Sequence, residues 1–419
     1  MVRHRARTRG GVLRQHDFRL LWIGETTSKT GSAVTTVAMP LVAVSTLHAS
    51  TFTIGVLEAA NWLPWLLIGL PAGAYVDRWR RRPVLVRCDL LSAAAFASVP
   101  VAAWLGVLSV GQLLVVAFAA GTAAVFFRVA YQAYLPAVVT REHLAEGNAR
   151  MHASASAAEV GGPGLAGLLA QSLGAVTALF LDAVTFLVSI ACLLRIRAAE
   201  PARTPGRPET SLRRRIGEGL RYVLGEPYLR TLIFFAACSN LMLTATQALL
   251  VVFLVRVVGA PSSVVGLLMA SVGIGGIIGA MSAPYVIRVL GSARGQLVSA
   301  LCTTPFGLLI PLTERGPRLA LFAAGSLVMP AGVVISNIIG SSFRQAYCPA
   351  EMLGRVSATT SFLILGAMPV GALIGGTLGT ALGVRSALWV STGLLILPVL
   401  ILVFSPIRSR RDLPAPAHI

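Results

Sequence analysis

Apolar residues in this chain run in long unbroken stretches and do not alternate with polar ones. The stretches lie at 18–47, 51–76, 83–106, 110–134, 153–173, 175–195, 231–255, 262–287, 296–313, 317–342, 357–381 and 385–405. A helix of about 20 apolar residues crosses a bilayer. In lipid every backbone N–H and C=O must be paired internally, so only helices or closed barrels span. Barrel strands would show alternation over about ten residues. The pattern therefore predicts an all-α polytopic membrane protein with twelve transmembrane helices. Gly174 leaves only a very short turn between the fifth and sixth spans, and Pro305 and Pro311 make 296–313 the weakest of the twelve. Between the sixth and seventh spans, "AAEPARTPGRPET" reads as a linker. The following "SLRRRIGEGLRYVLGEPYLR" puts Leu212, Ile216, Leu220 and Val223 at helical spacing with arginines around them, which predicts a helix lying in the membrane interface.

The pattern repeats. "QAYLPA" (Gln132–Ala137) returns as "QAYCPA" (Gln345–Ala350), 213 residues on, and "LGAVTALF" (Leu173–Phe180) returns as "LGVRSALW" (Leu382–Trp389), 209 residues on. Both echoes fall in equivalent spans. They predict two six-helix pseudo-symmetric bundles, 1–195 and 231–419, joined by a cytoplasmic linker at 196–230 and related by an axis along the membrane normal. Halves of this kind enclose a midplane cavity and rock about it.

Composition agrees. Of 419 residues, 55% are hydrophobic and 12% charged, against about 25% charged in soluble domains. A net charge of +19 invites a nucleic-acid reading, but the placement of the charges excludes it. With the N-terminus inside, 29 of the 35 Lys and Arg fall on the cytoplasmic side and 4 (Arg256, Arg315, Arg318, Arg385) outside. That bias follows the positive-inside rule and places both termini in the cytoplasm. The abundance of Ala and Arg suggests a bacterial cell, hence its inner membrane. No cleavable signal peptide is apparent. The five cysteines are scattered and read as packing residues, with no metal-ligand spacing. No nucleotide-binding GxxxxGK[ST] run exists, and "GIGGIIGA" (Gly273–Ala280) reads as close helix packing. Six histidines form no catalytic constellation, which argues against a membrane-embedded enzyme.

Other residues carry a resemblance. "GAYVDRWRRRP" (Gly73–Pro83), after the second span, is similar to the Gly-x-x-x-Asp-Arg signature of the major facilitator superfamily. "GGPGLAG" (Gly161–Gly167) resembles the Gly-Pro signature of its antiporters. "EGLRYVLGEPYLR" and "QAYCPAEMLGRVSA" look like its twelve-helix drug:proton antiporter branch, which holds macrolide and siderophore exporters. The chain departs from the signature at Arg80, where glycine is usual, and Ala283 replaces Asp77 in the second copy. The resemblance implies proton-coupled efflux of small hydrophobic or amphipathic compounds by alternating access. The readings beside it are an importer or uniporter of the same fold, and a non-transporting receptor or scaffold. It implies no cofactor beyond the proton gradient, a small-molecule substrate, and a bilayer-embedded monomer without nucleic acid.

Several residues are candidates for mechanism. Gly73, Asp77 and Arg78 would gate. Gly73 would let the second helix approach a neighbour, and the resemblance places the partner of Asp77 near Ser357 at the start of the eleventh span. Glu25, Lys29, Glu58, Glu159 and Asp182 are candidates for coupling, because ionisable groups within a span are costly and functional by default. Lys29 is the sole lysine and follows Glu25 by four residues, the favourable helical order. The second half has no acid within a span. Asp89 and Arg128 are placed to pair. In this superfamily the first, fourth, seventh and tenth helices line the cavity. Those helices offer Phe126, Phe127, Tyr131, Asn240, Gln247 and Asn337, a mostly apolar set suited to amphipathic ligands. Gly162, Pro163 and Gly167 are expected at a helix kink.

Overall fold

The computed structural model describes residues 11–76, 79–140, 143–198 and 212–414. Its helices are α1 (His16–Leu41), α2 (Thr51–Val76), α3 (Arg81–Trp104), α4 (Val110–Val138), α5 (Leu144–Leu173), α6 (Ala175–Arg195), α7 (Leu212–Gly225), α8 (Pro227–Val252), α9 (Ser262–Leu290), α10 (Ser292–Thr303), α11 (Leu319–Tyr347), α12 (Ala350–Leu382), α13 (Val384–Leu394) and α14 (Ile396–Val403). Spans one to six are α1–α6. Spans seven to twelve are α8, α9, α10 with its 3-10 continuation Thr304–Leu312, α11, α12, and α13 with α14. The ninth span tightens into 3-10 turns where Pro305 and Pro311 deny it α-helical hydrogen bonds. The fifth starts nine residues before its apolar stretch, because polar residues there continue the helix past the lipid.

Ten of these spans are apolar and long enough to cross a membrane on composition alone. The other two, α1 and α5, are as long but more polar. They are also placed inside the assembly: α1 packs on α5 and α6, and α5 packs across the halves on α9. Helices turned toward protein can carry polar groups that lipid-facing ones cannot.

The repeat is visible in backbone detail. α1 and α8 both end in a π-helical turn, Val42–Thr46 and Phe253–Val257. Leu47 N donates to Val42 O at 3.1 Å and Ala49 N to Ala43 O at 2.9 Å; Val258 N donates to Phe253 O at 3.0 Å and Ala260 N to Leu254 O at 2.8 Å. The two sets are offset by 211 residues (258 − 47, 260 − 49). The turns after α5 and α12 are made by Gly174 (φ 85°) and Gly383 (φ 81°), offset by 209 (383 − 174). Only glycine takes that conformation at no steric cost.

The described ends of the chain, from Gly11 and up to Pro414, lie at one face, here called the termini face, where the segment after α14 folds against the start of α10 through Ser292 and Asp412. The opposite face is the far face. Toward the far face a single apolar core joins the halves, with Val34–Val44 of the first and Leu249–Leu254 of the second in one cluster. Toward the termini face the core divides. One cluster forms around Phe18, Leu85 and Tyr134, and another around Leu229, Phe343 and Leu402.

The linker helix α7 packs on the second half, against α12 and α8. Gly219 and Val223 make that contact, with Gly219 against Arg355 and Thr359. Leu220, expected on the apolar face, is exposed. Val223 is buried as expected, the side chains of Leu212 and Ile216 lie outside the described residues, and Glu218 pairs with Arg355 at 2.6 Å. Among the five cysteines, Cys88, Cys192 and Cys348 are buried and Cys238 and Cys302 exposed, so packing accounts for three.

Candidate functional site

Two pairs of glycines close the far end of the cleft. Gly55 of α2 meets Gly376 of α12, and Gly167 of α5 meets Gly266 of α9. A methyl group at Gly55, Gly167 or Gly266 would overlap backbone of the opposite helix, and one at Gly376 would crowd it, so the halves touch there with no side chain between them. These pairs obey the repeat: 266 follows 55 by 211, and 376 follows 167 by 209. Two hydrogen bonds reinforce them. Arg256 Nη2 donates to Ala49 O at 2.6 Å, and Ser263 N donates to Gln171 Oε1 at 3.1 Å. Ala49 follows His48, the one non-glycine residue at positive φ (48°) among the described residues. At midplane Leu66 still reaches Gly366, and Glu159 O lies against Gly273. Nearer the termini face, Gly73, Gly340 and Gly354 have, among the described residues, open space where a side chain would be. The cleft therefore opens toward the termini.

Among the described residues nothing lies against Gly73, which stands on the open part of the cleft. Asp77 and Arg78 lie outside the described residues. The start of α12 is covered by α7 through Arg355 and Thr359. Ser357 is about 200° away from Arg355 around the helix, so α7 leaves that opposite face clear.

Along the α1–α6 contact the first half holds a ladder of acids. Glu25 is buried, about 13 Å into α1 from its start. It pairs with Lys29 at 3.6 Å, and half of the lysine side chain remains exposed. Asp89 of α3 is buried, bonds Ser189 of α6, and lies near enough to Glu25 to interact with it, as does Tyr131. Its Oδ2 is buried without a hydrogen-bond partner. Nearer the far end, Asp182 of α6 is fully buried and accepts hydrogen bonds from Thr35 of α1 and from Thr185. Small residues bring the two helices together: Gly31 lies against Asp182 and Thr185, and Gly24 against Ser189 and Cys192. A carboxyl in such a place is stable when neutral or fully hydrogen-bonded, which suits it to take up and release a proton.

The other candidates divide. Glu58 is half-buried and accepts from Trp62 Nε1 at 2.9 Å. Glu159 is exposed and apart from the ladder. The expected pairing of Asp89 with Arg128 does not form: Arg128 lies over the Trp65 ring at 5.3 Å, while Asp89 turns to Ser189. Phe126 stacks near Trp79, and Phe127 on Tyr131 at 6.2 Å, all half-buried or exposed at the edge of the first-half core. Asn240 donates to Ala236 O within its own helix at 2.9 Å, while Gln247 and Asn337 are exposed. Gly162 and Gly167 serve helix contact, with Ala33 and Gly266, and α5 continues unbroken through Pro163. Sequence reasoning missed the Arg256–Ala49 tie and the Thr35–Asp182 bond. Extending the 211-residue offset to Thr35 and Thr246 would have pointed to the second. No group of His, Cys, Asp and Glu suited to a metal occurs among the described residues.

A family profile described as a transmembrane secretion effector matches residues 10–417. The chain is 29% identical to the multidrug efflux pump Tap of Mycolicibacterium fortuitum, over 94% of this chain and 97% of that one. It is 23% identical to macrolide efflux protein A of Streptococcus pyogenes, over 90% and 93%. Its fold resembles a point mutant of the nucleoside transporter NupG with a TM-score of 0.80, at 11% identity over 92% and 99%.

Proposed function

Since the chain belongs to the transmembrane secretion effector family of the major facilitator superfamily, and is a secondary transporter and not an enzyme, we propose that it exports small hydrophobic or amphipathic compounds in exchange for protons. It works as a monomer in the inner membrane of a bacterial cell. The termini face, rich in arginine, is cytoplasmic, so the cleft described above faces inward. Residues 1–195 and 231–419 are the two moving bundles and 196–230 the tether.

The observation that carries this reading is the confinement of buried carboxyls, Glu25, Asp89 and Asp182, to one half, on the face where α1 meets α6. Substrate enters the open cleft from the cytoplasm or inner leaflet. Closing the termini end requires the glycine contacts of the far end to part. A proton from outside then reaches Asp182, the member of the ladder nearest the far face, and leaves inward by way of Glu25 and Asp89. Thr35 and Thr185 hold the Asp182 carboxyl in place. Substrate and proton thus compete for the same half by way of its conformation. Relatives named as multidrug and macrolide efflux proteins support lipophilic compounds of broad structure as cargo.

Everted membrane vesicles, with lipophilic dyes and macrolides supplied outside them, test this. Uptake that rises with an acid-inside pH gradient, and collapses with an uncoupler, is expected. Flux indifferent to the gradient would remove proton exchange and leave the uniporter reading.

A further inference from the structure

The positive-inside bias leaves four arginines for the far face, and all four gather at one place in the second half. Arg256 ends the π-helical turn of α8, Arg315 and Arg318 lie in the loop before α11, and Arg385 begins α13. A cleft of about 320 Å³ opens between them, lined by Arg256, Val257, Val258, Gly259, Glu314, Arg315 and Arg385. Glu314 is the single acid of the lining. It is shared between Arg385, at 3.6 Å, and Arg318, so the lining keeps an excess of positive charge. The guanidinium groups are fixed in position. Arg315 Nε donates to Val258 O at 2.8 Å and its Nη2 to Gly259 O at 3.2 Å. Arg385 Nη2 donates to Thr313 O at 3.1 Å, and the same side chain lies over the Phe253 ring. Arg256 reaches Ala49 O across the halves through one nitrogen.

Three anchored guanidiniums around one small cleft are placed to donate to one oxyanion from several directions. Each presents a planar fork matched to phosphate oxygens. Arginine scattered for topology would gather on the other face. The cleft also sits at the ends of spans, the level where lipid headgroups lie. We propose that this far-face cleft binds a phosphate group, carried by an anionic lipid headgroup or free in solution, with Arg256 and Arg385 as its main donors.

The test uses the full chain in maltoside detergent, with inorganic phosphate titrated calorimetrically at constant ionic strength. Phosphatidylglycerol retention is followed separately by native mass spectrometry. Phosphate binding that weakens about tenfold in Arg385→Gln, the loss of one charge-assisted hydrogen bond, assigns the cleft to the free anion. Retained phosphatidylglycerol that is lost in Arg385→Gln, without free-phosphate binding, assigns it to the headgroup. Arg256→Gln is expected to act in the same direction, and covers the case in which the first variant does not fold. Arg288→Gln, on the other face, should change neither measurement. Absence of both ligands, or binding unaltered by both cleft variants, would overturn the proposal.

Discussion

In the first half Thr35 bonds a carboxyl, Asp182; in the second, its counterpart Thr246 bonds a hydroxyl, Ser391, at 3.2 Å. The positions are related by the repeat's own offsets, 211 from Thr35 to Thr246 and 209 from Asp182 to Ser391. The same substitution of charge by neutrality recurs down the contact. Glu25 corresponds to Ala236, Lys29 to Asn240 and Asp89 to Ala300, each 211 residues on. Asn240 even bonds back to residue 236, as Lys29 pairs with Glu25. One backbone scaffold was thus built twice, and titratable chemistry was kept in one copy. The glycine contacts that close the far end were kept in both. A two-fold gate needs matched surfaces, whereas a proton site needs only one location.

The comparison is broken most severely by exchanging the acid. Asp182→Asn should reduce gradient-driven efflux in vesicles at least about tenfold, about 1.4 kcal/mol in barrier. Ser391→Ala should retain most of it. Equal losses in the two would mean that these sites share a structural task. The reverse exchange, Ser391→Asp, makes the halves alike by adding a buried acid without a second donor. It should lower thermal stability by roughly 2.5–3.5 kcal/mol where the acid stays charged, read as an earlier melting transition of the purified protein.

The gate should respond symmetrically. Gly55→Leu and Gly266→Leu stand at equivalent positions, and each should hold the far end apart. Spin-label distances across the far face would lengthen to a similar extent in both, with transport lost. A response from one alone would show that the two contacts are not a pair. Smaller still is the effect expected at the linker helix. Arg355 and Glu218 are each about one-third exposed, and such pairs contribute up to about 1 kcal/mol. Glu218→Gln should leave the melting temperature almost unchanged.

Much of the fold was legible from hydropathy because lipid leaves few alternatives for an apolar stretch. The spans of α2 and α6 agree with the structure residue for residue. What hydropathy does not display is direction around a helix. Arg128 and Asp89 lie at similar depth, yet one turns to Trp65 and the other to Ser189. Gly73 and Gly55 lie on the same helix, yet among the described residues just one meets a partner. Glu25 with Lys29 was legible because a spacing of four fixes their geometry. Asp182 could be suspected from depth, but its bond to Thr35 joins residues 147 positions apart. That contact is set by how α1 packs on α6 through Gly24 and Gly31, which no local pattern encodes.

The decisive measurement counts protons. The purified transporter, in weakly buffered detergent solution, is mixed with a substrate found in the vesicle assay, and the pH change is followed with a dye. Wild type and Ser391→Ala should each release protons on binding, and Asp182→Asn should release measurably fewer at the same site occupancy. Undiminished release from Asp182→Asn would contradict the assignment of proton exchange to Asp182.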